Sequence, residues 1–395
     1  MKIIIIIPTY NEKANIEKML PLLEKEIFPQ IKNHQMGILI ADDSSPDGTR
    51  EVVEKYMKEY KNLHLLEGSK QGLGAAYARA MRYAIEKLDA YAVIEFDADF
   101  QHDPHDLPRM VDAMDEGYDY VIASRYIPGG AIPEEWGLHR KLLSKFGGLF
   151  ARIVWMNFFI HDITSGFKLT KTEFLKKVDL EHLYSNAFAY KLHILHDVVK
   201  MGAKVKEIPI VFYERKEGVS KINKKESFES MFVVLRLKFD DSVRIIKFLV
   251  VGGTGFIVQL LSQEGSARVL HFPDWLAVGI GAEVAILSNF LINHFWTFKD
   301  THHIKESSGF WVKMAKFNIA SLGSIIIQVL AIWLAELALG SNMHVLGFMV
   351  KTRIAILFPA IIFLVIPLNY IIYNKIIWKT QYLKKNLIVE ENKVL

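Results

Sequence analysis

The chain has 395 residues, which is enough for two or three domains. Its formal net charge is only +4, so the composition does not support nucleic-acid binding, which would need basic residues clustered on one face. The sequence contains no cysteine, which excludes disulfides, thiolate chemistry and cysteine-bound zinc.

The N-terminal part, to about residue 215, alternates short β-branched runs with helical patterns. The predicted strands cover residues 3–7, 37–41, 63–67 and 91–96, and the predicted helices cover 12–25, 49–60 and 75–88. This alternation predicts an α/β fold with a mainly parallel sheet and helices on both of its faces. In such sheets the ligand lies at the carboxyl ends of the strands.

Two carboxylates follow the last of these strands, in the stretch FDADFQH over residues 96–102. Only Ala98 separates Asp97 from Asp99. Because the chain turns at a strand end, both side chains can reach one cation, directly or through water. Mg²⁺ and Mn²⁺ are hard ions that bind carboxylates together with substrate phosphates. The pair therefore predicts a metal that bridges the protein to a nucleotide diphosphate.

Polar residues also follow the first two strands. Asp42 and Asp43 are placed to accept hydrogen bonds from a base or a ribose. Asp47 is equally well explained as part of a turn before a helix cap. Tyr10, after the first strand, could stack on a base. The stretch KQGLGAA, residues 70–76, begins a helix, and its glycines permit close backbone approach near the positive helix end.

From about Arg244 the sequence becomes strongly apolar, with stretches at about 245–263, 275–298, 314–338 and 354–378. Each approaches or exceeds the ~20 residues that cross a hydrocarbon core. Tryptophans at their ends favour four membrane spans over the buried helices of a large soluble domain.

Lysine and arginine are unevenly distributed around these stretches. They are frequent before the first, between the second and third, and after the fourth: Arg236, Lys238, Arg244, Lys247, Lys299, Lys305, Lys313, Lys316, Lys375, Lys379, Lys384 and Lys385. The other two connections carry fewer. The positive-inside rule then predicts a multi-pass protein of the cell membrane, with both termini and the N-terminal domain in the cytoplasm.

Two segments before the first span have the pattern of amphipathic helices. One has a single apolar stripe flanked by basic residues, made of Phe228, Met231, Phe232, Leu235 and Phe239. This pattern predicts a helix that lies in the membrane interface. The segment 140–154 has a similar apolar stripe, but an ordinary core helix of the globular domain explains it about as well.

Seven motifs occur in order over about 220 residues. They are IIPTYNE (6–12), DDSSPDGT (42–49), KQGLGAA (70–76), FDADFQHDP (96–104), ASRYIPGG (123–130), DITSGFKL (162–169) and ERKEGVSKI (214–222). Together they closely resemble the polyprenyl-phosphate glycosyltransferases, which belong to the inverting family 2 and have a Rossmann-like GT-A fold. The resemblance implies a cytoplasmic GT-A domain over 1–217, an interfacial helix region over 218–243, and a GtrA-like four-span membrane domain over 244–395.

The resemblance also implies a reaction, the transfer of mannose from GDP-mannose to dolichyl phosphate, with Mg²⁺ or Mn²⁺ as cofactor. The implied nucleoside site consists of Pro8, Tyr10, Glu12, Asp42 and Asp43. The implied metal ligands are Asp97, Asp99 and Gln101, which hold the donor diphosphate with Ala98 in the same loop. Arg215 and Lys221 would close over the diphosphate, with a solvated basic loop as the alternative. Lys191 resembles a donor-site lysine, although an amphipathic helix explains it nearly as well.

The implied acceptor is a lipid phosphate, which needs permanent cations with a planar hydrogen-bonding fork. The candidates are Arg125, Arg140 and Ser144, and the alternative for both arginines is a surface charge. A phosphomonoester is already ionised near neutral pH, with a second pKa of about 6, so no general base is required. We expect catalysis to rest on Asp99, Arg125, Arg215 and Lys221, through positioning and stabilisation of the departing diphosphate.

Two other functions remain open at this point. A polyprenyl-phosphate glucosyltransferase using UDP-glucose is the first, because the strand-end motifs do not separate guanine from uracil. The second is a lipid-sugar flippase with a vestigial nucleotide-binding domain. Glu264, Glu283 and Glu336 lie within the predicted spans, where a charge is costly without a role or a partner, and they keep transport open. The sequence gives no indication of oligomeric state or lipid length.

Overall fold

The computed structural model describes residues 1–214, 224–272, 274–299, 309–340, 342–345 and 348–378. The chain forms two compact units, Met1–Asp240 and Asp241–Leu395. The predicted donor-site residues Arg215 and Lys221 lie outside the described residues.

The first unit is built on one seven-stranded sheet with the order β3-β2-β1-β4-β6-β5-β7. Its strands are β1 (Lys2–Thr9), β2 (Gln35–Asp42), β3 (Leu63–Glu67), β4 (Ala92–Glu95), β5 (Tyr120–Ser124), β6 (Lys168–Lys171) and β7 (Val205–Pro209). The mainly parallel sheet predicted from the sequence is confirmed. The strand β6 is the exception, since it runs antiparallel to both of its neighbours, β4 and β5.

Helices cover both faces of this sheet. They are α1 (Lys13–Leu22), α2 (Thr49–Met57), α3 (Leu73–Glu86), α4 (Leu107–Asp115), α5 (Leu138–Trp155), α6 (Thr172–Leu175), α7 (Tyr190–Lys200) and α8 (Lys224–Arg268), of which α8 begins in the first unit. The run Ile3–Ile7 is fully buried because alternate isoleucines of β1 point into the two cores on either side of the sheet.

Two helices of the first unit bury few of their residues and expose many large apolar side chains. On α5 only Gly148 and Ala151 are buried. Its exposed apolar side chains are Leu138, Leu142, Leu143, Phe146, Leu149 and Ile153, and Met156, Phe158 and Phe159 continue this surface just beyond the helix. The last part of α5 packs against the core through Ala151, Phe150, Val154 and Trp155, so the core alternative holds for that part only, and the interfacial role of the exposed face stays a prediction.

The first part of α8 divides its apolar residues between two directions. Val233, Val234 and Leu237 are buried in the core of the first unit. The exposed side chains are Phe228, Met231, Phe232, Leu235 and Phe239, which are the members of the predicted interfacial stripe. The compact unit therefore extends to Asp240, past the boundary at residue 217 that the motifs implied.

The second unit is mainly helical. Besides the rest of α8 it contains α9 (Asp274–Ile292), α10 (Phe310–Leu339), the hairpin β8 (Asn342–Val345) and β9 (Phe348–Lys351), α11 (Thr352–Ala360) and α12 (Ile366–Ile372). π-helical turns extend these helices at Asn293–Thr297, Ile361–Val365 and Tyr373–Ile377. Its core is a cluster of aromatic rings, in which Phe298 and Trp378 stack with centroids 4.3 Å apart.

Helices occupy all four predicted membrane stretches. Within the described residues, one segment, Glu226–Arg268, is long and apolar enough to cross a membrane, and Ile361–Ile377 is a shorter apolar helix. The division into four spans stays a prediction.

Candidate active site

The carboxyl ends of six strands, all except β6, lie at one edge of the first sheet, and β3 belongs to them because it pairs in parallel with β2. β1 pairs in parallel with β2 and β4, and β5 pairs in parallel with β7. Because β6 is antiparallel to both β4 and β5, those two strands also point the same way. The topology therefore collects the polar residues that follow these strands at a single edge, where ligands bind in such sheets.

The ends of β1 and β2 are tied together by hydrogen bonds. The buried Asp42 carboxylate accepts from Thr9 Oγ1 at 2.8 Å and from Ser45 Oγ at 2.6 Å through Oδ1, and from Ser45 N at 2.9 Å through Oδ2. The Asn11 amide donates to Ser45 Oγ at 3.0 Å. The loops that carry Pro8, Tyr10 and Asp42 thus form one rigid wall. A carboxylate has about four acceptor positions, so Asp42 retains capacity for a ligand.

Two cations lie beside this wall. Arg79 forms an ion pair with Asp43 at 2.7 Å. The Lys70 ammonium lies 3.4 Å from the centroid of the Tyr10 ring, a cation–π contact. A base that stacks on Tyr10 must therefore use the other face of the ring or displace Lys70. Glu12 accepts a hydrogen bond from Asn15 at 2.7 Å.

The glycines that precede α3 bring the backbone close to the protein itself. Gly72 has φ of +117°, and a Cβ there would lie 2.3 Å from the Asn186 carbonyl oxygen. That carbonyl accepts hydrogen bonds from Gly74 N at 2.8 Å and Ala75 N at 3.3 Å. The amides at the start of α3 are thus occupied by another loop of the first unit, which accounts for the glycines without a ligand.

The two carboxylates after β4 are each fixed by a hydrogen bond. The Tyr77 hydroxyl donates to Asp97 Oδ1 at 3.0 Å, and the backbone N–H of Gln101 donates to Asp99 Oδ1 at 3.1 Å. Between them and Gln101 the chain turns through Phe100, whose φ is +57°. The strand β4 ends at Glu95. Ala98 and Asp99 already lie in a turn, and the left-handed Phe100 continues that turn.

Gln101 also holds the segment after β7. Its backbone carbonyl accepts from Tyr213 N at 2.9 Å, and its side-chain Nε2 donates to the Tyr213 carbonyl at 3.2 Å. Tyr213 lies two residues before Arg215 in the chain. The carboxylate loop is therefore bonded directly to the segment that leads to the predicted diphosphate-binding residues.

Arg125, after β5, is held by a buried carboxylate. Its Nε and Nη2 donate to Asp162 Oδ2 and Oδ1, both at 2.8 Å, and its backbone N donates to Oδ2 at 2.9 Å. The side chain of Arg125 is 9% exposed and that of Asp162 is fully buried. Since Nε and Nη2 both donate to Asp162, a phosphate at Arg125 would accept its hydrogen bond from Nη1. The acceptor role of Arg125 stays a prediction.

The other two acceptor candidates lie on α5. The Arg140 guanidinium carbon is 3.9 Å from the centroid of the Trp136 ring. Ser144 Oγ is 2.5 Å from the hydroxyl of Tyr126, the residue after Arg125. The start of α5, with its exposed apolar side chains, thus lies beside the end of β5.

Comparison with known proteins gives the family. Residues 4–179 match the model of glycosyl transferase family 2, and residues 247–378 match the GtrA/DPMS transmembrane domain. A dolichol-phosphate mannosyltransferase of Pyrococcus furiosus is 34% identical over 346 residues, which cover 85% of this chain and 90% of that protein. The chain belongs to glycosyl transferase family 2. Its first unit is a GT-A domain, and the glycosyltransferase is a membrane protein.

Two further proteins are similar. A polyprenol monophosphomannose synthase of Mycolicibacterium smegmatis is 37% identical to the glycosyltransferase, over 58% of this chain and 84% of that protein. The solved structure of glucosyl-3-phosphoglycerate synthase from Mycobacterium tuberculosis has a TM-score of 0.45 and 15% identity, over 60% of this chain and 79% of that one.

The residues of the carboxylate loop suit a divalent cation that is shared with a substrate. Asp97 and Asp99 offer hard carboxylate oxygens, and Gln101 offers an amide group. Among the described residues, no group of three or more His, Asp or Glu side chains forms a complete metal cage. Mg²⁺ in sites of this kind uses one or two carboxylates together with substrate phosphates and water, so the donor set fits such an ion.

Sequence reasoning missed a buried charge cluster beneath the carboxylate loop. Glu95 and Lys168 face each other across the β4–β6 pair, and both are fully buried. Tyr190 donates to Glu95 Oε2 at 2.5 Å. Lys191 is 2% exposed, so the amphipathic-helix explanation of this lysine is wrong. A Cβ at Gly166 would lie 3.0 Å from Lys191 Nζ and 3.5 Å from Asp97 Oδ2, which places this ammonium at the carboxylate loop.

Burial and charge act in opposite directions within this cluster. Burial lowers the pKa of Lys168 to about 8, although the nearby Glu95 carboxylate raises it. Burial also lowers the pKa of Lys191, against the opposing effect of Asp97 and Glu95. Burial raises the pKa of Glu95, which Lys168 counteracts. The cluster thus balances acidic and basic groups below the surface to which a charged donor would bind. The sequence contained one weak signal, the carboxylate of Glu95 at the end of the apolar strand β4, and none at Lys168, since β6 reads KLTK.

Proposed function

We propose that the glycosyltransferase transfers mannose from GDP-mannose to a polyprenyl phosphate such as dolichyl phosphate, with inversion at the anomeric carbon. The observation that carries the proposal is the placement of α5, which presents Arg140 and an exposed apolar face beside the end of β5, at the same edge of the sheet as the predicted nucleotide-site residues. A soluble acceptor would not require such a face. The choice of mannose and of a polyprenyl chain is supported by the names of the two related transferases.

The charge on α5 suits a phosphate at the membrane surface. The helix contains Arg140, Lys141, Lys145 and Arg152 and no acidic residue. Basic residues on an amphipathic helix attract anionic headgroups while the apolar side chains enter the acyl boundary. The lipid phosphate would then meet a guanidinium that the Trp136 ring holds in place.

The reaction would need no proton transfer. An ionised phosphate oxygen of the lipid forms the bond to the anomeric carbon, and the bond from that carbon to the diphosphate oxygen breaks. The electron pair leaves with the nucleoside diphosphate, whose charge Lys191, Arg215 and Lys221 would stabilise. Asp97, Asp99 and Gln101 would hold Mg²⁺ or Mn²⁺, which supplies positive charge to the diphosphate when bound. In-line attack gives a β-linked mannosyl phosphate.

We further propose a multi-pass arrangement of four spans, with the GT-A unit and both termini in the cytoplasm. This part rests on the excess of lysine and arginine in alternate connections of the membrane domain. A nucleotide sugar is charged and does not cross a hydrocarbon core unaided, so the GT-A unit must lie on the side of the membrane where its donor is supplied.

A labelling experiment tests the proposed reaction. Purified full-length protein is incubated with labelled GDP-mannose or UDP-glucose, each with dolichyl phosphate and Mn²⁺, and the lipid fraction is extracted. We expect label from GDP-mannose in the lipid, as the β anomer, and its loss when EDTA is added. Label from UDP-glucose alone would replace the donor assignment, and an α anomer would overturn inversion.

The substitution Arg140→Ala tests the acceptor site. We expect the KM for the lipid phosphate to rise about ten- to a hundredfold, because the lost charge-assisted hydrogen bond contributes roughly 1.5–3 kcal/mol. The KM for the sugar nucleotide should change little, since the strand ends that bind it do not include Arg140. Steady-state kinetics with each substrate varied in turn gives both values.

Lys145→Ala is the matched control, because Lys145 is an exposed cation on the same helix. Its removal should change the lipid KM less than threefold, the range expected for one screened surface charge. Equal effects of the two substitutions would assign the loss to overall helix charge, and a loss confined to the donor would move Arg140 to the nucleotide site.

Truncation tests the independence of the first unit. A chain cut after Asp240 should fold and bind the donor nucleotide, since all the strand-end residues lie before the cut. A chain cut after residue 217 should be less stable by several kcal/mol, because Val233, Val234 and Leu237 leave the core at about 1.5 kcal/mol or more each. Thermal unfolding measures the stability of the two fragments, and nucleotide titration measures their donor binding. If the longer fragment folds without binding nucleotide, the division is wrong.

A further inference from the structure

A continuous row of rings runs from Arg140 to the carboxylate loop. The Arg140 guanidinium lies 3.9 Å from the centroid of the Trp136 ring. Trp136 contacts Phe212 edge-on, with centroids 5.7 Å apart and planes at 75°. Phe212 in turn contacts His102, with centroids 4.9 Å apart and planes at 62°. All three rings are buried, at 7%, 9% and 3% exposure.

The far end of this row is anchored to the donor side of the site. The Phe212 amide donates to the Ala131 carbonyl at 3.0 Å, so this segment is also tied to the loop that precedes Trp136. The next residue, Tyr213, exchanges hydrogen bonds with Gln101 at 2.9 and 3.2 Å. His102 directly follows Gln101, and Gln101 N holds Asp99. A displacement of Phe212 would therefore move the carboxylate loop.

The burial of the Trp136 indole is unfavourable in one respect, because it leaves a polar group without a hydrogen-bond partner. Its Nε1–H is buried and has no hydrogen-bond acceptor among the residues that the structure describes. Buried indoles usually find an acceptor, and a phenylalanine would fill an apolar site without leaving a donor unsatisfied. What an indole adds is a wider and more electron-rich face, which is the best aromatic partner for a guanidinium.

We propose that Trp136 is a positioning residue shared by the two substrate sites. One face of its ring fixes the Arg140 guanidinium with the N–H edge directed to the lipid phosphate. The ring edge braces Phe212, and through it the loop that carries Asp97 and Asp99. The inference rests on the proposed function, since it takes Arg140 as the acceptor cation and the carboxylate loop as the donor site.

The test is a double-mutant cycle in the full-length protein, with steady-state kinetics for both substrates. Trp136→Leu should raise the KM for the lipid phosphate about three- to thirtyfold, the range of a buried cation–π contact. It should also raise the KM for the sugar nucleotide or lower kcat several-fold. In the Arg140→Ala background, Trp136→Leu should leave the lipid KM unchanged and keep its effect on the donor.

Two results would overturn the inference. The first is a lipid-KM effect of Trp136→Leu that persists undiminished without Arg140, and the second is an unchanged donor KM and kcat. If Trp136→Leu does not fold, Trp136→Phe runs the same cycle, with a smaller lipid-KM effect that again disappears without Arg140. General loosening of the fold would instead raise both KM values in both backgrounds.

The proposed function can fail separately. Wild-type protein that uses another sugar nucleotide refutes the donor assignment, and the cycle is then run with that donor. If the wild type transfers no sugar, titrations of GDP-mannose and dolichyl phosphate replace the KM values. In each case the coupling between Trp136 and Arg140 is measured independently of which sugar is transferred.

Discussion

Asp99→Asn is expected to lower kcat/KM for sugar transfer by roughly a thousandfold or more, and to leave the thermal unfolding midpoint nearly unchanged. The substitution keeps the shape of the side chain and its ability to accept the Gln101 N–H, and it removes only the charge. A divalent cation at a diphosphate supplies several kcal/mol of charge stabilisation, and about 1.4 kcal/mol corresponds to a factor of ten in rate. Metal-dependent binding of the donor nucleotide should weaken in parallel.

Asp103→Asn is a matched control four residues along the same loop. Asp103 is 34% exposed, and its side chain accepts a hydrogen bond from His105 N at 2.9 Å, a capping contact that asparagine also makes. Asp103→Asn removes the same charge from the same loop as Asp99→Asn does. We expect it to lower kcat/KM for sugar transfer less than about twofold, the effect of one screened surface charge. Full activity in the Asp99 variant, or equal losses in both, would refute the metal assignment for Asp99.

Local sequence pattern was sufficient to predict the first four strands of the sheet and the edge at which polar residues follow them. The run Ile3–Ile7 must be buried on both faces, and polar residues can follow such a strand only where it leaves the core. The observed bounds of β1, β2 and β4 lie within two residues of the predicted ones. Parallel pairing then places Asp42 beside Thr9 by register, without information from distant residues.

The partners of the buried charges could not be predicted in this way. Glu95 and Lys168 meet because β6 is inserted antiparallel between β4 and β5, and the sequence of β6 does not encode its position in the sheet. The contact of Arg125 with Asp162 depends on the same insertion, because Asp162 belongs to the connection that leads into β6. Each of these residues looks like an isolated charge in the sequence, and only long-range pairing gives it a partner.

The helix α5 shows why periodicity alone leaves burial undecided. An apolar stripe has the same spacing whether it faces a core or a membrane. In the structure the helix buries Gly148 and Ala151 and packs Phe150, Val154 and Trp155 against the core, while the other large side chains of the stripe stay exposed. Small residues opposite a large apolar stripe are therefore the more informative feature of this helix.

Asp162→Asn should destabilise the protein by about 3–5 kcal/mol, the usual cost of removing one partner from a buried ion pair. Arg125 would keep its charge at 9% side-chain exposure without a carboxylate to balance it. Unfolding of the full-length wild type and variant in detergent gives the change in the free energy of unfolding. Glu54→Gln is the control, because Glu54 pairs with Arg50 at the surface, where both side chains are about half exposed and water screens the pair, so its loss should change stability very little.

The double variant Arg125→Met with Asp162→Asn separates stability from chemistry. Replacing both charges removes the uncompensated cation, so we expect much of the lost stability to return. Transfer should stay low if Arg125 meets the acceptor phosphate, and should recover with stability if the pair is only structural. The expected kinetic result is a lipid KM that stays raised in the double variant, and recovery of that KM would remove Arg125 from the acceptor site.

The effect of Asp162→Asn should also depend on pH in a defined direction. Burial by itself raises the pKa of Asp162, but the Arg125 guanidinium, the Arg125 backbone N–H and Lys168 together outweigh burial and hold that pKa below its usual 3.8. A carboxyl whose folded pKa is depressed contributes its full stability above its unfolded pKa, and loses it as the pH falls through the folded value. Wild type and variant should therefore differ fully at pH 7 and converge as the pH drops below about 4. A difference that is constant from pH 7 to pH 3 would mean that the charge of Asp162 is not what stabilises the fold.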